Sequence, residues 1–266
     1  MPISDTFSIQ LYADTRPHHQ STLKLQKGLI LTSRGIELSG EGVGLGVPAL
    51  RYNGNTYFSG SSTVEFEKTS GHVRAVKKFT LDLASERTLR NISVETKTIQ
   101  EIKRSFDNLY MKHKRSRLLP VEKLLNQIGI QRDFVRTKPV AVATVTYTIS
   151  RSHVRVGAEF KLHQKKGFQR IYLLNEQGSA HFRKYYDSSG MLLYDKAIGA
   201  WEAVNAEWAC IHSVEEKVGF RLWKREKSTL YRGREFLSGL LDWVGLDYEV
   251  DPGTIGFGFD IELVRS

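Results

Sequence analysis

Apolar and polar residues alternate with a period of two over most of this chain, as they do in strands with one buried face. Phe7, Ile9 and Leu11 begin the pattern, and Val64 and Phe66 continue it. It runs on through Val73, Ala75, Phe79, Leu81 and Leu83. After a β-branched run over 139–149, Val154, Val156, Ala158, Phe160 and Leu162 read as its hairpin partner. Turn formers punctuate these segments: Asn53-Gly54, Ser70-Gly71, Ser150-Arg151-Ser152-His153, Lys165-Lys166-Gly167, Asp187-Ser188-Ser189-Gly190 and Pro252-Gly253. Asn-Gly is a strong signal for a two-residue hairpin. Short strands at this spacing predict a mainly β fold, a large antiparallel β-sandwich.

The period changes to 3.6 over 97–129. Ile99, Ile102, Phe106, Leu109, Tyr110 and His113 recur at helical steps, and Pro120 restarts a second apolar stripe that Gly129 can end. This predicts a helical connector. The expected organisation is one domain over 1–266, with an N-terminal β half (1–96), the connector (97–129) and a C-terminal β half (130–266). Two segments fit both periods. Phe236, Leu237, Leu240, Leu241 and Val244 admit a short helix over 231–244. Trp201, Val204, Trp208 and Ile211 would line one side of a helix, but the loop formers Val214-Glu215-Glu216-Lys217 favour a strand over 206–212 that turns into 218–223.

An apolar–Gly–apolar pattern recurs three times: Val43-Gly44-Leu45-Gly46-Val47, Val218-Gly219-Phe220-Arg221-Leu222 and Ile255-Gly256-Phe257-Gly258-Phe259. On a strand the apolar residues share one face, and in two of the copies glycines leave the other face bare, open to a neighbouring layer or a flat ligand. The glycines of 39–48 do not form a phosphate loop, because Pro48 and a hairpin follow them where a dinucleotide fingerprint needs a helix. The run Gly42-Val43-Gly44-Leu45-Gly46-Val47, and Trp208-Ala209-Cys210 followed by a hairpin into Val218-Gly219-Phe220, resemble strands of large β-sandwiches. The likeness is to the galactose-mutarotase-like supersandwich of carbohydrate-active proteins. It implies a carbohydrate-related role; no motif matches the mutarotase catalytic His and Glu, so no site residue is carried over.

Composition narrows the classes. With 40% hydrophobic residues in 266, the chain can bury a core. A single cysteine, Cys210, excludes an internal disulfide and cysteine-rich zinc sites. No apolar run approaches the roughly 18–20 residues of a membrane helix, and Met1-Pro2-Ile3-Ser4-Asp5 lacks the basic and apolar regions of a secretory signal. The expectation is a cytoplasmic protein without membrane partner, cofactor or metal. The net charge of +10 is uneven: residues 97–196 carry 20 Lys and Arg against 8 Asp and Glu, whereas 197–266 carry 8 against 12.

Two chemistries compete with a non-enzymatic interaction module. The carboxylates nearest to aromatics are Glu202, Glu207, Asp242 and Asp260. An indole stacks on a pyranose, and its apolar surface can raise a carboxyl pKa for acid–base work. On this reading carbohydrate binds a concave sheet face through Trp201, Trp208, Arg221 and Trp223, with Glu207 as catalytic acid or base. The alternative is a nucleic acid or other polyanion held by Lys112, Lys114, Arg115 and Arg117, which cluster at the predicted end of the connector helix.

Overall fold

The computed structural model describes residues 2–4, 7–11, 25–40, 42–69, 71–89, 130–150, 152–237 and 241–265. In chain order the strands are β1 (Pro2–Ser4), β2 (Phe7–Leu11), β3 (Leu29–Ser33), β4 (Ile36–Glu37), β5 (Gly44–Tyr52), β6 (Asn55–Thr69), β7 (His72–Leu89), β8 (Ile130–Ile149) and β9 (His153–Leu162). They continue with β10 (Phe168–Gly178), β11 (Lys184–Asp187), β12 (Leu192–Tyr194), β13 (Glu202–Ala203), β14 (Trp208–Ser213), β15 (Val218–Trp223), β16 (Ser228–Leu237), β17 (Leu241–Val250) and β18 (Gly256–Arg265). All belong to one connected antiparallel sheet, so the fold is mainly β, as the alternation predicts.

The sheet doubles back at the β5–β6 hairpin. Asn53 and Gly54 both take positive φ, 48° and 84°, the turn geometry that follows the twist of the flanking strands. Tyr52 pairs with Asn55 across it. One layer then runs β6–β7–β8–β9–β18–β15–β14–β11–β12. The other runs β2–β3–β5–β10–β17–β16–β13. Between them lies a core drawn from both, including Leu45, Phe79, Val145, Val156, Leu173, Phe220, Leu246 and Ile261. Two tyrosines span the gap. Tyr248 of β17 packs its ring against Phe257 and Phe259 of β18, with centroids 5.1 and 4.9 Å away. Tyr147 of β8 is fully buried and donates its hydroxyl to the carbonyls of Leu45 and Gly46 in β5, at 3.3 and 3.0 Å. Gly46 permits this contact, since a Cβ there would sit 2.9 Å from the Tyr147 ring. Burial pushes the phenol's pKa up, which keeps it a neutral donor. Replacing Tyr147 with Phe is expected to cost about 1 kcal/mol in urea denaturation, the net worth of one buried hydrogen bond. An unchanged midpoint would mean that this bond does not join the layers.

The expected helix over 231–244 is not formed. Leu237 pairs with Leu241, and β16 and β17 form a hairpin. Val244, Leu246, Tyr248 and Val250 are all buried, so the apolar run serves a period of two. Pairing of β17 with β10 on its other edge outweighs any local helical preference. Gly233 and Gly245, opposite each other in the hairpin, are also poor helix formers. The predicted connector over 97–129, with Lys112, Lys114, Arg115 and Arg117, lies outside the described residues. Leu89 and Ile130, the described residues on either side of it, are register partners in β7 and β8.

Candidate functional site

Antiparallel register sorts the side chains of β8, β9, β18, β15, β14 and β11 onto two faces. Val154, Ile261, Leu222 and Ala209 are neighbours in the core. On the outer face Thr148 lies opposite Arg155, Arg155 opposite Asp260, and Trp208 opposite Trp223. The next outer row runs His153, Glu262, Arg221, Cys210 and Tyr186. On the other side of the first row, Thr146, Gly157 and Gly258 are register partners that place almost nothing above the backbone. A Cβ at Gly157 would meet no atom within 4 Å, and one at Gly258 only a backbone oxygen at 3.6 Å. Of the three apolar–Gly–apolar copies only the one in β18 behaves as the sequence suggests, with Phe257 and Phe259 towards the core and Gly256 and Gly258 leaving the outer face bare. Gly46 packs on Tyr147, Gly219 lies under His212, and Leu45 faces a different apolar cluster from Val43 and Val47.

Beside this bare surface is an open groove of about 510 Å³, lined by Thr148, Ser150, His153, Arg155, Trp223, Arg225 and Asp260. Trp223 is 42% exposed. Asp260 bridges two arginines, accepting from Arg155 Nε at 3.1 Å and from Arg225 Nη2 at 3.5 Å. Arg225 Nε also donates to the Gly258 carbonyl at 3.2 Å.

Behind Trp223 an aromatic cluster holds the indole in place. The Trp208 and Trp223 rings are 6.4 Å apart at 60°, and Tyr186 meets Trp208 edge-on at 5.9 Å. The Arg221 guanidinium lies 4.2 Å above the Trp208 ring and pairs with Glu262 at 3.0 Å. Three of the predicted binding residues, Trp208, Arg221 and Trp223, are thus brought together. Only Trp223 reaches the groove; Trp208 and Arg221 support it.

Trp201 does not join them. Residues 201–207 do not form one strand: β13 ends at Ala203, and β14 starts only at Trp208. Trp201 is 2% exposed and sits on Gly233, where a Cβ would come within 2.5 Å of the indole. Arg232 holds the chain around it by donating to the Ile198 carbonyl and to Glu202, and the Arg234 N–H donates to the Gly199 carbonyl at 2.7 Å. Trp201 is a core residue of the other layer. Glu207 is exposed at the entry to β14 and fixed through its backbone, with its N–H on Ser188 Oγ at 2.9 Å and its carbonyl accepting from Lys224 at 2.7 Å. It does not line the groove. Sequence reasoning missed Arg155, Arg225 and His153. The signal for Arg155 and Asp260 was available, because each lies two residues from a bare-face glycine, Gly157 and Gly258.

Cys210 and His212 lie beneath the cluster. Burial pushes the Cys210 thiol up to about 11, so it is an inert filler at neutral pH. His212 is 4% exposed and lies over Gly219, and neither ring nitrogen has a hydrogen bond. Burial, aided by the Lys184 charge, lowers its pKa below the usual 6.5. The unfolded chain then takes up a proton that the folded chain refuses, so this contribution to stability is complete above pH 6.5 and is lost as pH falls through the interval below it. Urea midpoints are expected to drop from pH 7.5 to 5.5, and His212→Phe should flatten that drop. Equal pH dependence in both proteins would contradict the assignment.

Among the described residues no group of His, Cys, Asp and Glu could hold a metal ion, and no helix is long and apolar enough to cross a membrane. No protein-family model matches the chain, and no curated protein matches it. Solved structures do resemble it. A quadruple mutant of the alpha-N-acetylgalactosaminidase NagBb from Bifidobacterium bifidum aligns with 98% of this chain at a TM-score of 0.51 and 8% identity. The GalNAc complex of the same enzyme gives a TM-score of 0.49, also at 8% identity, with 98% of this chain and 35% of that one covered. The Slr1438 protein from Synechocystis sp. PCC 6803 gives 0.39 at 8% identity, covering 89% of this chain and 88% of its own. The chain spans about a third of the NagBb chain, 35% of its length. At this identity the likeness is one of fold: a large β architecture that also occurs within a carbohydrate-active enzyme.

Proposed function

We propose that this protein binds carbohydrate on the outer face of the sheet, in the groove beside Trp223. The observation that carries the reading is an exposed indole, 42% accessible and braced from behind by Trp208, standing next to a flat glycine surface and a ring of hydrogen-bonding side chains. A pyranose offers an apolar face of C–H groups and a rim of hydroxyls. The indole suits the first, and Thr148, Ser150, His153, Arg155 and Asp260 suit the second. Likeness in fold to an enzyme named for N-acetylgalactosamine adds support at the level of a carbohydrate-related β protein.

Binding is favoured over cleavage. A glycosidase needs two carboxyl groups set across the scissile bond. The groove lining holds one carboxylate, Asp260, and it is engaged by Arg155 and Arg225. Glu207 lies off the groove. A glycan array is expected to return specific binding, and a panel of chromogenic glycosides no turnover. An array without hits would overturn the proposal. Turnover that disappears in Glu207→Gln would replace it with a processing role.

A further inference from the structure

The charge of the groove selects among saccharides. Its lining holds two arginines and one carboxylate, an excess of one fixed cation. Asp260 does not simply neutralise its partners. It takes Nε of Arg155 and Nη2 of Arg225, while the Gly258 carbonyl takes Nε of Arg225. Among the described residues, both η nitrogens of Arg155 and Nη1 of Arg225 have no hydrogen-bond acceptor. One carboxylate thus aims two guanidinium groups into one groove and leaves donors on each for a ligand. A planar guanidinium presents paired N–H groups that match the spacing of oxyanion oxygens. The large apolar side chain that lines the groove with this pair is the Trp223 indole.

We propose that the preferred ligand is an acidic saccharide: a sugar ring on Trp223 whose carboxylate or sulfate group is received by Arg155 and Arg225. This rests on the carbohydrate-binding reading above and narrows it. Neutral sugars meet the same indole and hydroxyl partners but leave the guanidinium donors to water. Both arginines are substantially exposed, with side-chain accessibilities of 79% and 42%, so solvent screens the attraction and the preference is moderate. It is expected to be about tenfold at low salt, and to shrink towards parity as salt shortens the Debye length to about 3 Å near 1 M.

The test is an array of neutral, uronate-bearing and sulfated oligosaccharides, followed by titration of hexagalacturonate and its methyl ester, which share a backbone and differ in charge. Acidic glycans should dominate the hits, and the uronate and sulfate arms identify which oxyanion is preferred. Arg155→Gln and the double variant Arg155→Gln/Arg225→Gln should remove the preference for the free acid over the ester, with far-UV circular dichroism unchanged. The single Arg155 variant keeps the test valid if the double variant folds poorly, because Arg155 makes only the exposed bond to Asp260. Hits without charge preference, or a preference that survives both variants and high salt, would overturn the inference while leaving carbohydrate binding intact. An array with no hits at all would overturn carbohydrate binding, and this inference with it.

Discussion

Trp223→Ala is expected to weaken glycan binding at least about thirtyfold, roughly the 2 kcal/mol that marks an aromatic hot spot, while folding stability changes by less than about 1 kcal/mol, the worth of one cross-strand aromatic pair. The two numbers separate because of where the indole stands. Its outer surface faces the groove, so removing it deletes the largest apolar area a sugar can cover. Its inner contact is a tilted pairing with Trp208, which Tyr186 and Arg221 continue to hold after the truncation. Trp223→Phe should recover part of the affinity, since a smaller ring still offers a flat face. Titration calorimetry beside a urea melt reads both quantities. Full affinity in the alanine variant would remove the groove from the account, and a loss of stability on the scale of a core deletion would make Trp223 a packing residue.

Trp201→Ala should do the reverse. Deleting a buried indole typically costs about 3–5 kcal/mol, because the vacated space collapses only in part. That is a large share of the roughly 5–15 kcal/mol by which domains are stable. The strand β16 has been shaped around this ring: Gly233 lies directly beneath it, and Arg232 and Arg234 strap the preceding chain to the sheet. Even Gly233→Ala would force the indole to move. Whatever fraction remains folded should bind glycans with unchanged affinity, because the ring has no access to the outer groove. Lost affinity in well-folded protein would return Trp201 to the binding face, where the sequence alone had placed it.

The contrast between these two residues shows what the sequence could and could not tell. Strand periodicity and turn chemistry are local, so Asn53-Gly54, the hairpin at 150–153 and the β14–β15 hairpin were all legible. So was the outward face of the Gly–Phe–Gly–Phe run in β18. Trp201 was misplaced because nearness along the chain groups it with Trp208, whereas the break between β13 and β14 sends the two tryptophans to different layers. The helix over 231–244 failed for a related reason. The apolar spacing fits both periods, and the decision comes from β10, a strand more than sixty residues away in sequence. The groove itself is non-local. Its residues come from β8, β9, β15 and β18 and from the turns at Ser150 and Arg225, and no spacing within one segment reveals that Arg155 and Asp260 are opposite each other.

The chain's four tryptophans allow the central claim, that glycan binds beside Trp223, to be tested in one experiment. Each indole N–H gives its own resonance in a ¹H–¹⁵N correlation spectrum, assignable through single Trp→Phe variants. During titration with the strongest glycan from the array, the Trp223 signal should move farthest and saturate, with a smaller shift at Trp208 behind it. The signals of Trp201 and Trp243, on the other layer of the sheet, should stay where they are. A saturating shift at Trp201 or Trp243 with Trp223 unmoved would contradict the account.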